Sequence, residues 1–161
     1  MQAAAYSRTQ IALHWVIFLL IALQYLLHDW IAEALDKVEE GQEAAFHPLV
    51  AAHVAGGLLI LALVVWRIVL RRRHGAPPYP PEEPVALQWV AKLTHLGLYA
   101  LMILMPLSGA LAWFGGAAAA AQAHELMRIL LLALIGLHIL GALYHQFILR
   151  TDIMSRMRLA R

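Results

Sequence analysis

The sequence predicts an all-α fold: an integral membrane four-helix transmembrane bundle. Three observations carry that reading. The 161 residues are 62% hydrophobic and only 14% charged, with a mean hydropathy of +0.69. A soluble domain of this size could not hide so much apolar surface. The apolar residues gather in four stretches, Ile11–Leu27, Leu49–Leu70, Val85–Phe114 and Leu126–Leu149, each near or above the roughly 20 residues that cross a bilayer as a helix. The stretches are continuous and not alternating, which favours helices over a barrel.

Taken with their flanks, the spans run over about 11–30, 48–70, 85–114 and 124–149 of a single membrane domain covering residues 1–161. The first is no signal peptide: it carries His14, Gln24 and Tyr25, and no small-residue cleavage site follows. Its connection to the second span, residues 28–47, is acidic, with Asp29, Glu33, Asp36, Glu39, Glu40 and Glu43 against Lys37. The next connection, 71–84, opens on Arg71-Arg72-Arg73 and continues through Pro77-Pro78-Tyr79-Pro80-Pro81. Residues 115–123 hold only Gly, Ala and Gln and read as a loop. Pro106 inside the third span predicts a kink.

Positive charge sets orientation. Arg8, Arg67, Arg71, Arg72, Arg73, Lys92, Arg150, Arg156, Arg158 and Arg161 fall on one side, Lys37 and Arg128 on the other. Both termini and the Pro-rich loop are therefore expected in the cytoplasm, and the acidic connection in the opposite compartment. Because the basic residues flank apolar segments, no nucleic-acid partner is expected. With no cysteine, disulfides, zinc–thiolate sites, iron–sulfur clusters and covalent haem are excluded.

Nine histidines are many for so apolar a chain, and an ionisable group inside a membrane is a functional signal. His14, His95 and His145 lie towards the cytoplasmic ends of their spans, His53 and His124 towards the other side, and His138 inside the fourth span. His28, His47 and His74 sit at ends or in connections and read as solvated. His124 and His138 are fourteen residues apart, so they share a helix face about 21 Å apart along the axis; His145 continues the stripe. Histidines on opposed helices near each membrane face suit non-covalent b-type haem with two axial imidazoles. Gly56 and Gly57 follow His53 at i+3 and i+4, as Gly141 and Ala142 follow His138, and such small residues would leave room beside a ligand. Arg8 and Arg67 on the cytoplasmic side, and Arg128 on the other, are candidates to pair with haem propionates. Trp15, Trp66, Trp89 and Trp113 lie near span ends and read as an interfacial belt. A haem-free, His-lined transporter for a metal ion or protons is the rival from another class, although carboxylates are nearly absent from the spans.

Several motifs occur in order: Tyr6-Ser7-Arg8-Thr9-Gln10-Ile11 with His14-Trp15, His53-Val54-Ala55-Gly56, Trp66-Arg67, Thr94-His95-Leu96-Gly97-Leu98-Tyr99, Met105-Pro106-Leu107-Ser108-Gly109, His124-Glu125, and Gly136-Leu137-His138 with His145. Together they resemble the bacterial diheme cytochrome b561 family of four-helix membrane electron carriers. The ordered set covers nearly the whole chain. The resemblance implies two haem b groups held by bis-histidine ligation. His14 and His138 would bind the cytoplasmic-side iron, His53 and His124 the periplasmic-side iron. By depth alone, His145 or His95 would partner His14 better than His138. The resemblance leaves His95 and His145 as candidates for a quinone site, where a neutral imidazole can donate to a carbonyl and relay a proton. It further implies a multi-pass protein of the bacterial inner membrane, passing electrons between a small periplasmic one-electron donor or redox protein and ubiquinone. Some members are described as superoxide oxidases; an anchor subunit of a dehydrogenase is the related alternative.

Overall fold

The computed structural model describes residues 5–42, 47–81 and 83–158, and only the backbone of Glu39. Glu43 of the acidic connection and Arg161 of the C-terminal cluster lie outside the described residues. All regular structure among the described residues is helical: α1 (Arg8–Leu26), α2 (His28–Glu39), α3 (Pro48–His74), α4 (Val85–Gly115), α5 (Ala118–Phe147) and a 3₁₀ turn (Met154–Met157). Four of them, α1, α3, α4 and α5, are long and apolar enough to cross a membrane.

Local chemistry sets the helix ends. Ser7 and Gln10 form a capping box: the Ser7 hydroxyl accepts from Gln10 N–H and the Gln10 amide oxygen from Ser7 N–H. This starts α1 three residues before the expected boundary. Its end also differs from expectation. α1 stops at Leu26, and the first part of the acidic connection is a separate twelve-residue helix, α2. Trp30, Ile31, Leu35 and Val38 recur there at helical spacing against Asp29, Glu33 and Asp36, an amphipathic pattern. His47 caps α3, its Nδ1 accepting from Leu49 N–H at 3.3 Å, with Pro48 at the first position. α3 carries the arginine run and closes at Gly75, whose φ of +76° suits glycine. The Ala-rich segment is not a loop. Gly116, at φ +62°, turns the chain, and Ala118 onward is already α5, since alanine is the best helix former.

The core is apolar and small: Leu13, Ile17 and Ile21 of α1, Ile60 and Val64 of α3, Leu98 of α4 and Leu131 of α5. α4 and α5 make the most extensive contact, with α3 packed on α1, α4 and α2; Tyr25 of α1 donates to the Arg128 carbonyl of α5 at 2.6 Å, closing the ring. The outside is greasy, with Leu19, Leu96, Leu140 and Phe147 all more than 60% exposed, while Gln10, Arg67, Thr94, Ser108 and His145 are buried. Lipid as solvent explains this inversion. Arg67 is satisfied inside by the Gln10 carbonyl and, at 3.1 Å, the Tyr99 hydroxyl.

Different contacts close the two ends of the bundle. At one end, Gln10 donates to the Gly75 carbonyl at 3.2 Å, Trp15 to that of Met157 at 2.9 Å, and Arg156 to that of Pro78 at 2.7 Å. This gathers the start of α1, the Pro-rich loop and the C-terminal segment. At the other end, Trp30 stacks on His47 at 4.7 Å, and His28 lies 4.0 Å from Glu125.

Candidate functional site: two histidine pairs in the bundle

Two imidazole pairs form between non-adjacent helices. His14 of α1 faces His138 of α5 with ring centroids 6.1 Å apart. His53 of α3 faces His124 of α5 at 6.4 Å. α5 therefore contributes one ring to each pair, at two levels.

Hydrogen bonds fix some of these rings. His124 Nδ1 lies 2.9 Å from the Met105 carbonyl and 3.2 Å from Ser108 Oγ. A carbonyl only accepts, so Nδ1 carries the hydrogen and Nε2 stays available. Gly109 lets the ring approach: a Cβ there would meet His124 Cε1 and Nδ1 at 3.1 Å. His53 has no such anchor, and its Nδ1 is buried without a partner. Beside it, Gln24 Nε2 donates to the His53 carbonyl at 3.0 Å. The expected open face at Gly56 is not found: a Cβ there would lie 2.6 Å from Gln24 Nε2, so the amide fills that space. Gly57 is looser, at 3.9 Å from the same atom, and lines a cavity of about 340 Å³ with His53, His124, Met105 and Trp113.

The remaining expected residues divide. His95 packs on His138 at 5.1 Å and its Nδ1 donates to the Ala91 carbonyl at 2.7 Å, again leaving Nε2. His145 is not gathered into that cluster by any ring contact. It is buried, with Nδ1 3.0 Å from Thr151 Oγ1 and Nε2 3.4 Å from Glu83 Oε1, so both nitrogens are committed within the chain. Depth favoured His145 or His95 beside His14; the ring facing His14 is His138. Arg67 is engaged by Gln10 and Tyr99, and Arg128 is clasped by Glu125 through Nε and Nη2. Arg8 is exposed at the start of α1. Sequence reasoning did not single out Gln24, Ser108, Gly109 or Glu83 as parts of the site. For Gln24 a signal existed, a lone amide in an apolar span; Glu83, beside a proline run, offered none.

The sequence matches the family described as prokaryotic cytochrome b561 over residues 5–158. The chain belongs to the prokaryotic cytochrome b561 family. Among its relatives, "Cytochrome b562" of Cereibacter sphaeroides is 39% identical over 97% of this chain and 96% of that protein. "Probable superoxide oxidase CybB" of Yersinia pestis is 27% identical over 94% of each. "Cytochrome b561 homolog 1" of Escherichia coli is 26% identical over 65% of this chain and 56% of its own. As a cytochrome b561 family member, the chain is a multi-pass bacterial membrane protein of transmembrane electron transfer by b-type haem.

The donor set fits that cofactor. A metal–imidazole bond of about 2 Å on each side, plus the ring radii, separates two axial ring centres by about 6 Å, the size of both observed gaps. The rings come in opposed pairs. Among the described residues no three His, Cys, Asp or Glu side chains converge to hold a bare metal ion. The mostly apolar cavity beside the His53–His124 pair points the same way.

Proposed function

We propose that this protein carries single electrons across the bacterial inner membrane through two b haems. One would be held by His14 and His138, the other by His53 and His124. The current would run between a periplasmic-side one-electron donor and ubiquinone near the cytoplasmic side. The observation that carries this reading is the two opposed imidazole pairs, 6.1 and 6.4 Å between ring centres, at two levels of one helix. Charge asymmetry supports placing both termini, and the His14–His138 pair, on the cytoplasmic side.

Haem b, when bound, supplies the one-electron chemistry. The chain supplies position and proton handling. His124 is held in the Nδ1–H tautomer by Met105, presenting Nε2. His95 likewise presents an unprotonated Nε2 beside His138; that atom accepts from a quinol hydroxyl, and donates to a quinone carbonyl once it has itself taken up a proton. His145, with Glu83, is a buried acid–base pair able to hold a proton at the cytoplasmic end; it meets a quinone directly only if Thr151 or Glu83 releases a ring nitrogen. The Yersinia relative's name brings superoxide forward as donor. Against strong steering of an anion stand the acidic α2 and the pairing of Lys37 with Glu33 and of Arg128 with Glu125.

The test is a reduced-minus-oxidised visible spectrum with a pyridine haemochrome count on the purified chain. Two b haems per chain are expected. His53→Ala and His124→Ala should each remove the same haem, His14→Ala and His138→Ala the other. His95→Ala should slow ubiquinone reduction with both spectra intact. A colourless protein, or pairs that do not sort this way, overturns the reading. Rapid reduction by generated superoxide would assign the donor; its absence would point to a redox protein.

A further inference from the structure

The two rings of the His53–His124 pair are treated unequally, and the difference centres on one side chain of α1. His124 has its Nδ1 hydrogen placed by the Met105 carbonyl at 2.9 Å, with Ser108 beside it. The Nδ1 of His53 is buried with no partner. So is Oε1 of Gln24. These two unsatisfied atoms belong to residues already joined, because Gln24 Nε2 donates to the His53 carbonyl at 3.0 Å. One atom is an acceptor; the other, in the tautomer that frees Nε2 for iron, is a donor. The amide also occupies a niche that exists only because residue 56 is glycine: a Cβ there would lie 2.6 Å from Gln24 Nε2. Buried polar atoms without partners are uncommon and require an explanation, and a polar amide in an apolar span needs a reason to be there.

We propose that Gln24 is the positioning residue for the axial ligand His53. Its Nε2 fixes the backbone at the ligand, and its Oε1 is the acceptor for the His53 Nδ1–H when Nε2 is given to haem iron. Gly56 provides the niche that keeps the amide there. This inference rests on the ligand pairing proposed above. Outer hydrogen bonds of this kind fix the tautomer and ring plane and raise ligand basicity, which tunes the metal. A stronger acceptor stabilises the ferric state; a missing acceptor favours the ferrous state.

The test is a redox titration of purified holoprotein bearing Gln24→Leu, Gln24→Glu or Gly56→Ala. The haem of interest is the one that His53→Ala removes. Its midpoint should rise in Gln24→Leu and fall in Gln24→Glu, each by about a tenfold change in the ferric-to-ferrous ratio, about 59 mV for one electron. Gly56→Ala, which displaces the amide, should move with Gln24→Leu. The low-spin ferric electron-spin spectrum of that haem should change, and the other midpoint should stay. Loss of this haem from Gln24→Leu but not from Gln24→Glu also supports the proposal, since glutamate keeps an acceptor. Unmoved midpoints, shifts of one sign in both variants, or loss of haem from both overturn it. If His53→Ala keeps both haems, the ligand pairing itself fails, a distinct result.

Discussion

A single methyl group at residue 109 tests how tightly His124, the α5 ring proposed as a haem ligand, is held. The Gly109→Ala Cβ would sit 3.1 Å from both Cε1 and Nδ1 of His124, where ordinary contact begins at 3.4 Å. The ring must therefore retreat by about 0.3 Å, the difference between those distances. It is not free to do so, because Nδ1 is tied at 2.9 Å to the Met105 carbonyl, four residues before the substitution on the same helix. Overpacking a fitted site costs about 1–3 kcal/mol. If the strain falls on the ligand, haem affinity at the His53–His124 pair drops about 5- to 150-fold. The assay is haem titration into the apoprotein, followed in the visible spectrum, with the midpoint of the surviving haem as a check. Gly115→Ala is the control: nothing lies within 4 Å of its Cβ. Equal haem affinity for Gly109→Ala and the unsubstituted protein would refute the reasoning, since the ring would then have room that the distances deny it.

Three more outcomes follow from named contacts. Arg67→Leu strips bonds from the Gln10 carbonyl and the Tyr99 hydroxyl and should lower stability by about 2–4 kcal/mol in thermal unfolding in detergent. An equal loss in haem-free protein identifies a helix clasp, and a loss only with haem identifies a propionate partner. Glu83→Ala removes the buried partner of His145. It should loosen the Pro-rich loop, read as faster protease cleavage near residues 77–81 with the spans intact. On α2, the Lys37 ammonium bonded to Glu33 at 2.7 Å holds that exposed carboxyl below its ordinary range. The pair's contribution is then fully present above the ordinary carboxylate pKa and disappears as pH falls through the lowered value. Lys37→Met should return the Glu33 titration, followed by NMR, to the ordinary range.

The spans were legible because hydropathy over some twenty residues is a strong signal, and helix starts such as Pro48 and Val85 fall where the apolar runs begin. What escaped was carried by shorter signals. α2 hides behind its acidic composition, though its apolar residues keep helical spacing. The Ala-rich stretch reads as a loop only if the glycines beside it are weighed above alanine's propensity. Depth arithmetic favoured a partner for His14 nearer the membrane surface. The ring of His138 reaches His14 all the same, and counting rise per residue takes no account of how helices tilt and slide past each other. Gln24 was visible as a polar residue but its use was not, because the niche at Gly56 is made by another helix. Glu83 lies in irregular chain, where no periodicity marks an inward side chain.

Because α5 supplies one imidazole to each pair, biosynthesis meets an ordering rule. Until residue 138 has left the ribosome and α5 has entered the bilayer, every earlier segment holds only lone imidazoles. On the ligand pairing proposed above, a nascent chain stalled after α4 would complete neither haem site, and conduction would begin only once α5 is in place.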